Sequence, residues 1–199
     1  MNLLILLYNH RFDLKYLQVS LSCTLLNQFC HYDIDKIAKI NQLLGGNQLT
    51  LQGVQELIAK IPKTTEITIV DVGCGNGDML RALADYSLKN DYNFKLIGID
   101  ANNFTINHAS QLSSNYSNIS YRCEDVFGKN FTELKYDIML CTLTLHHFKE
   151  DEILRLMTIF NTNSRIGIVI NDLHRSAIAY RLFQALCFVF RLNAMSRED

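Results

Sequence analysis

The hydrophobic positions in the first third of the chain recur at helical spacing. Between Phe12 and Ile61, apolar residues return every three or four positions, which is typical of amphipathic helices. Gly45 and Gly46 suit the end of one such helix. Pro62 ends the next one, because the residue before a proline avoids the helical region of backbone space. The pattern therefore predicts an N-terminal helical cap over residues 1–62.

After Pro62 the pattern changes to short runs rich in β-branched residues, separated by segments with helical spacing. The runs predicted to be strands are 67–72, 95–100, 119–122, 136–142 and 165–170. Helical spacing returns at 78–88, 103–113 and 149–160. This alternation predicts an α/β fold over residues 63–199, with a doubly wound, mostly parallel sheet that helices cover on both faces.

One loop carries the strongest chemical signal. The segment 69–78 reads IVDVGCGNGD, in which a buried strand runs into a glycine turn and then into a helix. Glycines allow positive φ angles and close approach of a ligand to the backbone, and free N–H groups at the start of the helix can bind a carboxylate. Open α/β sheets bind ligands at this position, outside the carboxyl ends of their strands. We therefore expect a nucleotide-type ligand at this loop.

The spacing of the glycines separates two classes of nucleotide-type ligand. Gly73, Gly75 and Gly77 alternate, and Asp78 stands where the dinucleotide fingerprint GxGxxG has its third glycine. This spacing disfavours a nicotinamide oxidoreductase, which is kept as an alternative. Asp100 closes the second predicted strand, where its carboxylate can accept both ribose hydroxyls of an adenosine. NAD and S-adenosylmethionine proteins share that placement.

Four motifs follow one another in the order found in a known family. DVGCGNGD, GID, EDVF and TLTLHHF resemble the successive motifs of class I S-adenosylmethionine-dependent methyltransferases, over residues 65–172. LHHF and NDLHR are similar to segments of the quinone-type and small-molecule methyltransferases of bacteria. The resemblance implies a Rossmann-like methyltransferase fold, S-adenosylmethionine as the cofactor and a small-molecule acceptor, with O-methylation as the expected reaction.

The resemblance also assigns residues to the cofactor. The implied cofactor-binding residues are Asp71, Gly73, Cys74, Gly75, Gly77, Asp100, Ala101, Asp125, Val126, Cys141 and Leu143. The glycines would border the methionine end, and Asp100 would hold the ribose. Asp125 would receive the adenine amino group, with the backbone of Val126 nearby. Cys141 and Leu143 would line the methionine side.

The candidates for catalysis are less distinctive than the glycine loop. His146 and His147 are candidate general bases that could take a proton from an acceptor hydroxyl, since an imidazole with an unperturbed pKa of about 6.5 suits neutral pH. Asp172 and His174 are candidates of the same kind. A histidine ahead of a helix can instead bond backbone groups. We expect no metal site, because zinc needs three or four ligands at suitable spacing.

The composition narrows the choice of partners and location. The formal net charge is −1, and the sequence has no long run of basic residues that would bind a phosphate backbone. We therefore expect no nucleic-acid partner. Six cysteines without a CxxC pair favour reduced thiols and a cytoplasmic protein. The apolar run 3–7 is too short for stable membrane insertion and lacks the marks of a signal peptide. Apolar helices beside the domain favour a hydrophobic or aromatic acceptor.

The number of predicted strands leaves an alternative to an active enzyme. The methyltransferase fold usually adds a sixth and a seventh strand, whereas the residues after 170 carry mainly one apolar helix, predicted at 177–192. The domain would then be short at its C-terminal side. This alternative is a cofactor-binding module that is inactive on its own, whose missing sheet edge comes from a partner or from a homo-oligomer.

Overall fold

The computed structural model describes residues 2–7, 35, 38–39, 41–42 and 45–172. The strands are β1 (Asn2–Leu7), β2 (Glu66–Val72), β3 (Asn93–Asp100), β4 (Ile119–Cys123), β5 (Tyr136–Thr142) and β6 (Ser164–Asp172). The helices are α1 (Gly46–Ile58), α2 (Asp78–Asn90), α3 (Asn103–Leu112), the one-turn α4 (Lys129–Thr132) and α5 (Glu150–Asn163), with a 3-10 turn at Leu145–His147. His174 and the helix predicted at 177–192 lie outside the described residues, as do most of the positions in the helices predicted between 12 and 44.

The described strands form one parallel sheet in the order β1-β6-β5-β2-β3-β4. The strand order reverses at β2, which lies between β5 and β3. A reversal of this kind opens a crevice at the carboxyl ends of the strands, where the connecting chains leave in opposite directions. The predicted doubly wound α/β fold is confirmed, and the crevice falls next to the glycine loop.

The sheet is buried on both faces because its central strands are apolar at successive positions. In β2, Ile69 faces a core shared with α1, α2 and α3, while Val70 faces a second core shared with α4 and α5. Both side chains have no exposed surface. Parallel strands covered on both faces carry such continuous apolar runs rather than a strict alternation. The hydrophobic effect thus fixes which helices lie on which face.

The first strand was not predicted. β1 pairs in parallel with β6, in a register that runs from Asn2 opposite Gly167 to Leu7 opposite Asp172. The structure therefore corrects the expectation of an open edge beside β6, because the chain's own N-terminal segment covers it. The apolar run 3–7 is too short for its periodicity to separate a strand from a helix. The division into residues 1–62 and 63–199 stays a prediction, with α1 as a helix of the first part and β1 as an addition to the sheet.

The length and composition of a helix decide whether it could cross a membrane. None of the helices in the described part of the chain has both the length and the apolar character that crossing a bilayer requires.

Candidate functional site

The loop between β2 and α2 turns on three glycines with left-handed backbones. Gly73, Gly75 and Gly77 have φ angles of 70°, 52° and 76°. A side chain is disfavoured in this region because its Cβ crowds the following carbonyl. A Cβ at Gly73 would also overlap the side chain of Thr144, and one at Gly77 would overlap the hydroxyl of Tyr121. The turn therefore needs glycine for its conformation and for the space that a Cβ would fill.

Several N–H groups of this loop are already used by β3. The N–H groups of Gly73 and Cys74 donate to the carbonyl of Ile99, at 2.8 and 3.2 Å. The N–H of Gly75 donates to the carboxylate of Asp100. The prediction of free N–H groups concerned the start of the following helix, α2, and stays a prediction. The three N–H groups of the turn are not available to a ligand carboxylate. The reason is that β3 ends beside the turn, a proximity that spacing along the chain does not reveal.

Asp71 is a buried acid, two positions before Gly73. Only 2% of its surface is exposed, and its Oδ1 has no hydrogen-bond partner among the described residues. Burial raises the pKa of Asp71 well above its usual value, and the charges of Asp78 and Asp100 raise it further. Burial also raises the pKa of the Cys74 thiol, so this loop side chain is neutral at ordinary pH. A positively charged ligand at the loop would favour ionised Asp71.

Asp100 ends β3, as predicted for a ribose-binding acid. Its Oδ1 accepts a hydrogen bond from the N–H of Asn102 at 2.8 Å. Burial raises the pKa of Asp100, while the hydrogen bonds from Asn102 and Gly75 lower it. Ala101 follows as an exposed residue. The carboxylate is thus fixed at the edge of the crevice by the backbone around it.

Asp125 and Val126 lie in the loop after β4, the neighbour of β3. The carboxylate of Asp125 accepts a hydrogen bond from the N–H of Phe127 at 2.9 Å, and its carbonyl accepts one from Gly128 at 2.9 Å. Asp125 is exposed, whereas Val126 packs against the core on the α5 side. The structure brings both to the carboxyl edge of the sheet, where Asp125 also closes a turn. Their contact with adenine stays a prediction.

Cys141 and Leu143 stand at the end of β5, across the crevice from β3. Burial raises the pKa of the Cys141 thiol, and the charges of Asp172 and Asp71 add to this, so the thiol is neutral. Leu143 has a φ of 52°, which is rare for leucine. Its N–H donates to the carbonyl of Asn171 at 2.9 Å, which holds the strained turn. Strain of this kind concentrates at functional sites.

The turn after β5 brings together two candidates that the sequence offered separately. The N–H of His146 donates to Oδ2 of Asp172 at 3.0 Å, and Nδ1 of its ring lies 2.7 Å from Oδ1 of the same carboxylate. Asp172 ends β6, the strand beside β5. The two contacts fix the ring of His146 at the carboxyl end of the sheet. His147 is exposed, with its ring centroid 4.0 Å from that of His146.

α1 is tied to the same end of the sheet by polar side chains that sequence reasoning missed. The amide of Asn171 donates to the carbonyl of Gly46 and to the hydroxyl of Thr50, both at 3.0 Å. The amide of Asn47 donates to the carboxylate of Asp78 at 2.7 Å. These pairs join residues far apart in the chain, so no local pattern marks them. They place α1 beside the glycine loop.

The geometry thus gives a crevice with a glycine turn, an acid at the end of β3 and a histidine beside β5. A family model for a methyltransferase domain matches residues 63–194, which is more than half of the chain. The chain belongs to the methyltransferase domain family. The cofactor of this methyltransferase domain is S-adenosylmethionine. A search of curated proteins finds no significant match.

Solved structures of methyltransferases share the fold. The plantazolicin methyltransferase BpumL, in complex with a triazolic desmethylPZN analog and SAH, is 21% identical, with a TM-score of 0.55 over 87% of this chain and 64% of its own. Magnesium protoporphyrin IX methyltransferase (ChlM) from Synechocystis PCC 6803 with bound SAM is 18% identical, with a TM-score of 0.52 over 83% of this chain and 74% of its own. The CurJ carbon methyltransferase is 15% identical, with a TM-score of 0.53 over 68% of this chain and 35% of its own.

The residues at the crevice of the methyltransferase domain fit its cofactor. The three glycines let the chain turn at the carboxyl end of β2, and the oxygen of Asp71 that lacks a partner among the described residues favours a cationic ligand. Within the described ranges, no three His, Cys, Asp or Glu side chains cluster so as to hold a metal ion.

Proposed function

We propose that this methyltransferase domain transfers the methyl group of S-adenosylmethionine to a hydroxyl of a small-molecule acceptor, with His146 as the general base. The observation that carries the proposal is the contact of 2.7 Å between Nδ1 of His146 and the carboxylate of Asp172. O-methylation makes use of a base, because an alcohol or phenol must lose a proton as its oxygen takes the methyl group.

Methyl transfer requires little covalent chemistry from the side chains of the protein. The cofactor supplies a methyl carbon that its sulfonium already activates. The protein must hold the acceptor oxygen in line with that carbon, at a distance of roughly 3–3.5 Å. The predicted cofactor residues on the glycine loop, at Asp100 and at the end of β5 would hold S-adenosylmethionine. The helical cap, through α1, would form part of the wall of the acceptor pocket.

The pairing with Asp172 gives His146 a defined role in this step. A ring whose Nδ1–H donates to the carboxylate keeps Nε2 as the acceptor nitrogen, an assignment that follows from the hydrogen-bond partner. As the bond between acceptor oxygen and methyl carbon forms, the carbon–sulfur bond breaks and its electron pair stays on sulfur. The hydroxyl proton passes to Nε2 of His146. Asp172 stabilises the imidazolium that results.

The acceptor is proposed to be hydrophobic or aromatic. Methyltransferases of the same fold are named for magnesium protoporphyrin IX and for plantazolicin, which accords with a small-molecule acceptor. The family match begins at residue 63, which supports the division into a cap and a cofactor domain. Self-association is a further proposal, because β1 is the outermost described strand on its side of the sheet and presents an open edge.

The test is a labelled-methyl assay with a panel of phenols and their matched anilines. We expect transfer to a phenol, and a loss of about 100-fold or more in kcat for His146→Gln with the cofactor Kd unchanged. Asp172→Asn should lower kcat in the same way, because it removes the charge that stabilises the imidazolium. His147→Gln is the matched control, with a change of less than about threefold.

Three results would contradict the proposal. Equal losses in the two histidine variants would remove the special role of His146. Transfer to anilines alone would replace O-methylation by N-methylation. Tight cofactor binding without transfer to any acceptor would favour the alternative of a binding module that needs a partner.

A further inference from the structure

Three carboxylates surround the glycine loop, and they differ in their hydrogen-bond partners. Asp78 accepts a hydrogen bond from Asn47 at 2.7 Å, and Asp100 accepts one from the N–H of Asn102 at 2.8 Å. Asp71 is the most buried of the three, and its Oδ1 has no partner among the described residues. In the described part of the chain, no lysine or arginine forms an ion pair with any of them.

The other titratable groups that face Asp71 cannot neutralise it. The groups that interact electrostatically with Asp71 are Cys74, Asp78, Asp100, Tyr121 and Cys141. They come from the loop, α2, β3, β4 and β5, and each is either neutral or negative. A buried carboxylate without a cation is costly, so the group takes up a proton instead. Ionised Asp71 is therefore favoured only when a positive charge arrives from outside the chain.

The two cofactor forms in a methyl transfer cycle differ in such a charge. S-adenosylmethionine carries a sulfonium, and the product S-adenosylhomocysteine carries a neutral thioether in its place. Their amino and carboxylate groups are the same. A residue that responds to the sulfonium alone can therefore tell the substrate form from the spent one.

We propose that Asp71 is a charge-sensing residue: it gives up a proton when the sulfonium form of the cofactor binds, and it stays protonated when the thioether product is bound. The inference rests on the cofactor site proposed above. It would couple release of the product to the loss of the positive charge, because ionised Asp71 attracts the substrate form and recovers its proton once that charge is gone.

The sign of the pH dependence follows from this coupling. Burial raises the pKa of Asp71 in the free protein, and a bound cation lowers it again. At pH values between these two pKa values, binding of the sulfonium form releases a proton. The affinity of the protein for the sulfonium form therefore rises with pH by up to about tenfold per pH unit. Affinity for the thioether lacks this contribution. The preference for S-adenosylmethionine should therefore grow as the pH rises.

The test is calorimetric titration of the full chain with S-adenosylmethionine, S-adenosylhomocysteine and sinefungin, an analogue with an amine near the sulfonium position. Titrations at about pH 5.5 and about pH 7.5, in buffers of different ionisation enthalpy, give both the Kd and the number of protons released. We expect the ratio of the two Kd values, product over substrate, to rise about fivefold or more between these pH values. Sinefungin should behave as the substrate form does.

Two variants separate Asp71 from a general effect of charge. Asp71→Asn should abolish the change in the ratio and the release of the proton. Asp85→Asn removes the same charge from an exposed position on α2 and should leave both as they are. If Asp71→Asn does not fold, the proton count on the unaltered chain decides, and a count of zero overturns the inference.

The results distinguish this inference from the cofactor site on which it rests. A folded chain that binds none of the three ligands overturns both. Binding with a ratio that does not change with pH, or a ratio that still changes in Asp71→Asn, overturns the role of Asp71 and leaves the site in place.

Discussion

Two glycines with similar positive φ angles differ in what surrounds them. Gly45 has a φ of 78° and Gly73 one of 70°. A Cβ at Gly45 would meet no atom of the described residues within 4 Å, whereas one at Gly73 would overlap Thr144. The pair therefore separates the two reasons for glycine at the cofactor loop, which are conformation and space.

The comparison of these two positions gives a prediction for stability. Gly45→Ala should lower the free energy of unfolding by about 1 kcal/mol, which is the cost of a side chain in the left-handed region. Gly73→Ala should cost at least about 2 kcal/mol more, because Thr144 must also move. Urea denaturation measures both, and calorimetry should show loss of S-adenosylmethionine binding in Gly73→Ala alone. Equal losses of stability would mean that Thr144 moves aside at no cost in free energy.

Single residues were predictable where their role depends on neighbours in sequence. The glycine spacing predicted a loop in which positive φ angles occur. The position of Asp100 at the end of a predicted strand placed it correctly at the carboxyl edge of the sheet. The pairing of His146 with Asp172 was not predictable, although both were candidates, because their contact depends on the neighbouring positions of β5 and β6. Nothing in the pattern marked Thr144 as the side chain that excludes a Cβ from the loop.

The elements themselves followed the hydrophobic pattern closely. β5 has the predicted bounds, and β6 extends past its predicted end at residue 170 as far as Asp172. The extension carries polar residues that the sheet accepts because Asn171 bonds α1 and Asp172 bonds His146. Tertiary contacts thus override local preference at the end of this strand. The short helix α4 and the strand β1 were missed, because brief segments carry little periodicity.

The amide of Asn171 helps to attach α1 to the sheet. Asn171 donates to Gly46 and Thr50, and Thr50 lies 3.4 Å from the hydroxyl of Thr142 in β5. Asn171 is 8% exposed, so water cannot readily replace these bonds. The helix that borders the proposed acceptor wall is therefore positioned by a buried polar contact as well as by Val54 and Ile58 in the core.

Asn171→Ala should loosen α1 more than it loosens the sheet. The substitution removes the donor from the buried hydroxyl of Thr50 and from the partly buried carbonyl of Gly46, and we expect a loss of about 1–3 kcal/mol in the free energy of unfolding. Hydrogen exchange should accelerate at the amides of α1 relative to those of α2. Asn161→Ala, at an exposed position of α5, is the matched control and should change neither. Uniform acceleration across the molecule would argue against a local tether.

At the scale of the whole molecule, the sheet joins segments from both ends of the described chain. β1 lies outside β6, and β4 forms the opposite edge. In a parallel pair, the N–H of one residue points to the neighbouring strand and the N–H of the next points away. Leu4 and Ile5, which stand opposite Val169 and Ile170, therefore differ in which of them donates to β6.

Proline substitutions at these two positions test whether β1 stabilises the domain. One of Leu4→Pro and Ile5→Pro removes a hydrogen bond to β6 and should cost about 2 kcal/mol, while the other should cost distinctly less. Leu4→Ala and Ile5→Ala keep both N–H groups and correct for the lost side chains. Chemical denaturation measures the stability, and light scattering should show more association in the costlier variant. Two prolines with the same small effect would mean that β1 contributes nothing.

The pairing of β1 with β6 sets the order in which the domain can be assembled. β1 is synthesised before the other described strands, yet its partner β6 is synthesised after all of them. The earliest strand to be made is therefore the last that can be placed, and it must stay unpaired while the rest of the sheet grows. A contact of such long range makes folding slow and leaves the nascent segment of β1 open to capture by other chains or by chaperones.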